Sequence, residues 1–556
     1  MVIFQDTEPG RVPIGVPRWL HSGRIMFVII LLAGCALRAV WMLHDAPVIS
    51  MEGTEHVRMA ESLLRGEGLR GNFDGPALMY TPLLSILIAG VMLFIPDGES
   101  AAHVVALVFG MGLIVAVFAV ASYLYGKNTA LVCAALTAFH PLFVRLSGLV
   151  FTETVYLPLL MTAIYFGFRS MEFKRRSDFA LTGLCLGLAY LARPEAFAYP
   201  LLFTLAFAAA SLALRQKLSK GLIASVVMLA AFCITAAPNI WFLYQHTGSV
   251  RLEGKWNINY TIAENLRAGE SEAAARYGID DKLTVKGPLL APAEFANFTP
   301  YNRALPDKIS ALLFMANYNK WSVYDNLLSP ATGSPVLIVL VVLGLLRSSW
   351  SAWRLARESI LLAFAGSIVA LALTGPGTYF RFIFPVLPLA LLWAGRGLEE
   401  LRSWALQLPT FSPKWVAAAL TVAAGLSLFA SAEVGSRSEA NFTAPTASYS
   451  LAERDAGIWL STYRPGAKRI AARFSMVSFY ARGTLVQLPY ANSELTLRYL
   501  KDRGVEFIVL ETYTAGPFPT LVAWLAHGIP DSHARPIYDQ TNTSGDRVVI
   551  YEWANS

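Results

Sequence analysis

Carboxylates and arginines recur in this sequence beside long apolar runs, where charge is costly. Glu52, Glu55 and Glu61 lie in SMEGTEHVRMAESLLRGEGL, directly after the first apolar segment. Glu153 lies in GLVFTETVY. Arg193 and Glu195 lie in LAYLARPEAFAYP, and Tyr379 and Arg381 in GPGTYFRFIFPVLPL. Ionisable groups at membrane depth are usually functional. A carboxylate can take the proton from an attacking hydroxyl. An arginine can hold a phosphate through two parallel hydrogen bonds. A polyprenyl-phosphate-linked sugar matches both, because it offers a bilayer-bound tail, an anionic phosphate and a glycosidic carbon. One base and a phosphate clamp suffice for a single displacement with inversion, since phosphate leaves readily. Each residue also has a plainer role. Arg193 before Pro194 can cap a broken helix, and Glu195 can pair with it. Arg381 and Tyr379 suit an interfacial anchor. Glu153 suits a helix start, satisfied by backbone amides.

The elements that position these residues follow from composition. The chain has 556 residues, 55% hydrophobic and 15% charged, with a mean hydropathy of +0.48. That excludes an ordinary soluble protein and indicates a multi-span membrane protein. The net charge of +7 sits in short clusters between apolar runs, a pattern of topology signals and lipid headgroups rather than of nucleic acid. The four cysteines lie within apolar segments and have no metal-site spacing. The first apolar run lacks a small-residue cleavage site and is expected to remain as an anchor.

Arg11, Arg18 and Arg24 precede the first span, about 24–43, and place the N-terminus (1–23) in the cytoplasm. Arg38 within that span is expected to snorkel or to meet a lipid phosphate. Pro76 and Pro82 interrupt the next apolar run, Leu78–Ile95. If that run lies flat or re-enters, every later basic cluster falls inside: Lys127, Lys174–Arg176, Arg215–Lys220, Arg347–Arg357 and Arg396–Arg402. The remaining spans are then about 101–124, 128–146, 149–169, 178–193, 195–214, 221–244, 333–347, 358–374, 379–396 and 413–432. The fold class is therefore a multi-span α-helical membrane protein of about eleven transmembrane helices, with the C-terminus outside. The module at 24–435 has a first outer loop at 44–100 with interfacial helices, and a long outer loop at 246–330. Within the first loop, Glu55–Arg65 reads as a two-faced helix. Val57, Ala60 and Leu64 fall on one side, and Glu55, Arg58, Glu61 and Arg65 on another. Such a helix is expected to lie in the membrane interface.

Residues 440–556 have soluble composition. They read as helix Leu451–Tyr463, strands Arg469–Phe474 and Thr484–Leu488, helix Ser493–Arg503, strand Val505–Glu511, helix Thr520–His527 and strand Arg547–Glu552. This alternation indicates a small extracytoplasmic α/β domain.

Four segments of the chain resemble the GT-C superfamily of polyprenyl-phosphate-sugar-dependent glycosyltransferases. The nearest branch is the bacterial one related to protein O-mannosyltransferases and the lipid A aminoarabinose transferase. The segments are SMEGTEHVRMAESLLRGEGL, GPALMYTPLLSIL, HPLFVRLSGLVFTETVY, and LAYLARPEAF with the later TYFRFIFPVLPL. Aligned on Ala60 and Gly66, the family's catalytic Asp falls on Glu52, its Glu on Gly53 and its Tyr on His56. Glu for Asp keeps the carboxylate on a longer arm. Gly53 loses a second carboxylate, which Glu55 is placed to replace. The resemblance implies an inverting transfer from a lipid-linked donor at the outer face. Glu52, Glu55 and Glu153 would then be catalytic, and Arg193, Arg381 and Arg58 would hold the donor phosphate. His56, Tyr80, Glu195 and Tyr379 would line the donor and acceptor pocket. The partners implied are the donor, membrane lipids and an extracytoplasmic acceptor (protein, lipid or glycan). Glu52, Glu55 and Glu153 are also oxygen donors of the type a divalent cation takes, although no spacing demands one. Two other readings stay open: a transporter or flippase for a lipid-linked sugar, and a lipid-binding relative without catalysis.

Overall fold

The computed structural model describes residues 18–45, 48–173, 175–213, 218–255, 258–291, 304–346, 350–375, 380–407, 414–438 and 448–553. The first ten helices are α1 Arg18–Asp45, α2 Met51–Leu64, α3 Leu83–Met92, α4 Gly98–Tyr125, α5 Lys127–Phe139, α6 Pro141–Leu149, α7 Thr152–Phe173, α8 Arg176–Ala192, α9 Tyr199–Ala213 and α10 Leu218–Thr247. Long apolar helices follow at Pro335–Leu346, Ala352–Thr374, Leu387–Gln407 and Lys414–Ser438. Each expected span overlaps helical residues, although 128–146 is divided between α5 and α6 and 379–396 is α-helical only from Leu387. Four described helices have both the length and the hydropathy for a crossing, and α5 with α6 forms a fifth, bent by 52°. The others fall short in length or hydropathy. Helix α3 has 10 residues, about 15 Å at the α-helical rise. That is half of a bilayer core of about 30 Å, in keeping with a run that does not cross.

Arg357 and Arg396, from two of the basic clusters, both lie at the C-terminal end of α4, over the Tyr123 and Tyr125 rings. Tyr125 donates to Glu358 at 2.9 Å and Trp393 Nε1 donates to it at 2.7 Å. Arg357 reaches Glu172 at 3.2 Å, and the Arg396 guanidinium lies 4.9 Å from the Tyr125 ring centre.

Arg38 departs from expectation. It is buried rather than snorkelling. Its Nη1 donates to the Ala138 carbonyl at 2.6 Å and its Nη2 to the Thr137 carbonyl at 3.1 Å. The reason is the break between α5 and α6. Pro141 has no N–H, so the Thr137 carbonyl loses its usual donor four residues on. Arg38 supplies that donor from another helix.

Helix α2 also departs from expectation. It starts earlier, with Ser50 Oγ accepting from the Gly53 N–H at 3.0 Å. It packs on α3 and α4 on one side, and on the helix Met476–Tyr480 of the C-terminal domain on the other. Val57 and Ala60 are buried as expected, while Leu64 is exposed and Glu55 is buried.

The C-terminal domain is the expected α/β unit, a five-stranded sheet. Its strands are β1 Arg469–Ala472, β2 Thr484–Gln487, β3 Phe507–Glu511, β4 Ala534–Thr541 and β5 Arg547–Trp553, in the order β2-β1-β3-β5-β4. β1 is parallel to β2 and β3, while β5 is antiparallel to β3 and β4. Strand β4 was not legible in the sequence, because at the sheet edge most of its side chains meet solvent. Part of the long loop docks on this domain. Helix α11 Ile258–Arg267 and helix α12 Glu272–Tyr277 lead into Ile279, Val285 and Leu290, which share a core with Tyr499, Phe518 and Trp524.

Replacing Arg38 with Leu leaves two helix-end carbonyls buried without donors, which costs about 2–4 kcal/mol. Thermal unfolding in detergent should show a lower midpoint for Arg38→Leu, with Arg38→Lys between it and wild type.

Candidate active site

Glu52, in the first turn of α2, meets two distant parts of the chain. Thr152 donates to its Oε1 from Oγ1 at 2.7 Å and from its N–H at 3.3 Å. Arg381 donates from Nη2 to Oε2, and its Nε lies 3.4 Å from Glu153 Oε1. Arg193 donates from Nη1 to the same Glu153 oxygen and from Nη2 to Glu195 Oε1 at 2.8 Å. The result is a chain of alternating charge, Glu52–Arg381–Glu153–Arg193–Glu195.

Local structure explains why these groups converge. Val150 adopts φ 55° and ψ 59° between α6 and α7. Left-handed backbone at a β-branched residue costs about 1–3 kcal/mol. The turn puts Thr152 and Glu153 at the head of α7, and the Ser50 N–H donates to the Leu149 carbonyl at 3.0 Å. The start of α2 is thus tied to the same corner. Pro194 ends α8 at Arg193, whose extended backbone leads into a 3₁₀ turn, Pro194–Ala198. Phe382 and Phe151 frame the guanidiniums: Arg193 lies 5.6 Å from the Phe382 ring centre, and Arg381 lies 5.0 Å from that of Phe151.

A cavity of about 170 Å³ opens on this chain. Glu52, His56, Tyr80, Arg193, Glu195 and Arg381 line it, together with residues that sequence reasoning missed: Thr81, Thr152, Tyr156, Tyr199, Glu253, Lys255 and Asn259. Thr152 and Tyr156 had a signal, since they flank Glu153 at one and three positions. Glu253 and Lys255 had none. They are brought in by the strap at 251–255, whose Leu252 carbonyl accepts from Tyr190 at 2.6 Å. Gly254 is required there, because a Cβ would sit 1.6 Å from the Leu78 carbonyl oxygen. Lys255 places its ammonium 5.8 Å from the Tyr80 ring centre.

Glu153 joins the ion chain one step behind the cavity wall. Glu55 and Arg58 do not line this cavity. Glu55 accepts from the Asn72 N–H at 2.9 Å and lines a separate, smaller space. Arg58 donates to the Phe479 carbonyl at 3.0 Å and stands 3.7 Å from Glu61. Arg58 thus lies apart from this cavity, between Glu61 of its own helix and the C-terminal domain. Tyr379 lies outside the described residues. The donor set does not fit a divalent cation, since Glu55 is apart from Glu52 and Glu153 and both of those are met by arginine. Among the described residues no group of three or more metal-ligating side chains forms.

Electrostatics divides the carboxylates of the loops. Burial alone would raise Glu52, but Arg381 and the Thr152 hydroxyl hold it well below the usual carboxylate range. Burial pushes Glu55 up to about 7 despite the Asn72 hydrogen bonds. It pushes Glu253 up to about 7 as well. His56 is pushed down to about 4 by burial. Its Nδ1 lies 2.9 Å from Ser85 Oγ, while its Nε2 is buried without a partner.

Residues 76–241 match the family described as dolichyl-phosphate-mannose-protein mannosyltransferase. The match holds Glu153, Arg193 and Glu195 but not Glu52 or Arg381. No curated protein sequence matches the chain. Among solved structures, the Archaeoglobus fulgidus oligosaccharyltransferase in its apo form is similar at a TM-score of 0.59 and 14% identity, over 97% of this chain and 75% of that one. The oligosaccharyltransferase AglB from Archaeoglobus fulgidus in complex with an inhibitory peptide and a dolichol-phosphate gives 0.57 and 12%, over 97% and 74%. ArnT from Cupriavidus metallidurans bound to undecaprenyl phosphate gives 0.55 and 14%, over 96% and 98%. This chain has the GT-C fold. In this GT-C fold the ion chain joins the first loop, the heads of α7 and α8, and the turn before Leu387–Gln407.

His56 provides a pH test. Its folded pKa lies below the ordinary 6.5, so the unfolded chain binds the proton first as pH falls. Its contribution to stability is full above pH 6.5 and is lost progressively toward pH 4. Unfolding of wild type against His56→Phe across that window should show wild type losing stability more steeply.

Proposed function

We propose that the protein is a glycosyltransferase that moves a sugar from a polyprenyl-phosphate-linked donor to an extracytoplasmic acceptor. The observation that carries this reading is a cavity in which one wall holds Glu52 on Arg381 and Thr152, next to Arg193, at the end of an apolar bundle. The GT-C fold and the mannosyltransferase match support it. Solved GT-C structures hold dolichol-phosphate in one case and undecaprenyl phosphate in the other.

The chemistry is a single displacement. The acceptor hydroxyl gives its proton to the Glu52 carboxylate as its oxygen bonds to the anomeric carbon. The bond from that carbon to the phosphate oxygen breaks, and polyprenyl phosphate leaves with the electron pair. Glu52 paired to Arg381 is a weak base. An incoming phosphate competes for the Arg381 guanidinium, and every hydrogen bond it takes from Glu52 makes that carboxylate more basic. Thr152 keeps Oε1 oriented while Oε2 is released. Arg193, braced by Glu153 and Glu195, presents a fixed positive charge, and Lys255 adds another from the strap. In this reading the face with the cavity and the C-terminal domain lies outside, and the N-terminus and the basic clusters lie on the cytoplasmic side of a bacterial inner membrane. The long loop contributes Glu253, Lys255 and Asn259 to the acceptor side.

The test is transfer by purified protein from a panel of polyprenyl-phosphate sugars, with Glu52→Gln beside wild type. Loss of the base is expected to lower kcat by about a hundredfold or more while the lipid still binds. Equal turnover by both would remove Glu52 from the chemistry. Replacing Arg381 with Lys keeps the charge but removes the fork. It should raise the donor KM and lower kcat together, measured in the same assay; an unchanged KM would assign Arg381 to structure alone.

A further inference from the structure

The C-terminal domain reaches α2 along one line of hydrogen bonds. Strand β2 is at the edge of the sheet, and the chain at 72–73 adds to it. The Leu485 N–H donates to the Asn72 carbonyl at 2.7 Å, and Phe73 forms a parallel bridge with Leu485. On its other side, the Asn72 N–H donates to Glu55 Oε2 at 2.9 Å. Asn72 Nδ2 donates to Thr54 Oγ1 at 3.3 Å, and Arg58 Nε donates to Asn72 Oδ1 at 3.4 Å. Both Asn72 and Glu55 are buried. The fit is close: a Cβ on Gly71 would lie 2.1 Å from Glu55 Oε2. Further contacts hold the same face of α2, with Thr54 Oγ1 2.9 Å from Ser475 Oγ and Arg482 2.7 Å from Glu61.

We propose that Glu55 is a positioning residue through which the C-terminal domain, acting from β2 by way of Asn72, fixes the rotation of α2 and so aims Glu52 and His56 into the cavity. A helix of 14 residues is marginal alone and takes its orientation from tertiary contacts. Its start is tied to the Leu149–Val150 corner, and its rotation about the axis rests on contacts along its sides. Glu55, three residues from Glu52, is the one of these that joins α2 to β2 through Asn72. The catalytic consequence rests on the transferase reading; the docking does not.

The experiment uses the full chain in lipid nanodiscs. It measures amide hydrogen exchange in peptides spanning 66–78 and 482–490, and steady-state transfer from a polyprenyl-phosphate sugar. Glu55→Gln keeps an oxygen for the Asn72 N–H and should retain wild-type exchange and kcat. Glu55→Ala and Gly71→Ala, which break the contact from either side, should speed exchange in both peptides. They should also lower kcat by about ten- to a hundredfold, the scale of a misplaced catalytic group, with donor KM unchanged. Glu55→Gln as inactive as Glu55→Ala with wild-type exchange would make Glu55 the base and overturn the proposal. So would wild-type exchange and kcat in both alanine variants. If wild type transfers from no donor, the transferase reading fails, and the exchange measurements still decide whether the relay exists.

Discussion

Three carboxylates and two guanidiniums form one buried chain of charge, and the rest of the structure is arranged so that they can. Taking ions out of water is expensive, and removing one member of a buried pair leaves the other uncompensated. Glu52, Arg381, Glu153, Arg193 and Glu195 solve this by alternating in sign. Their residues span 52 to 381, so the chain of charge holds only if four separate segments stay in register. The strained Val150 turn, the Pro194 break and the 3₁₀ turns before Leu387–Gln407 are the local devices that bring them there. Charge alternation also sets the chemistry. A base held by an arginine is quiet until an anion competes for that arginine.

The bundle deals with its own broken helix in a similar way. Pro141 frees carbonyls at the end of α5, and Arg38 caps them. A charge that looks like a membrane anomaly is thus the price of a bend at 52°. That bend feeds α6 into the corner on which α2 and α7 both begin. The site is therefore supported from below by a buried arginine and from above by the C-terminal domain.

Much of this was legible in the sequence. Hydropathy runs, proline breaks and basic clusters located the helices, because the membrane imposes a strong, local requirement on length and polarity. The α/β alternation of the tail was legible for the same reason: its inner strands β3 and β5 are nearly all apolar. Strand β4 was not, since an edge strand in solvent needs no apolar pattern. Glu52, Glu153, Arg193 and Arg381 stood out as charges beside apolar runs. Glu55 and Arg58 stood out equally, and sequence spacing had no means of separating them from Glu52.

The sequence by itself determined which segments are helical, which charges are costly, and that carboxylates and arginines belong to one face. It did so because those are properties of single segments in an apolar solvent. Tertiary structure alone decided the partners. Arg381 rather than Arg58 reaches Glu52, Arg58 turns to Phe479, and Glu55 takes Asn72. Those choices depend on the rotation of α2 between the bundle and the sheet. Rotation is set by contacts with residues hundreds of positions away, which no local pattern records.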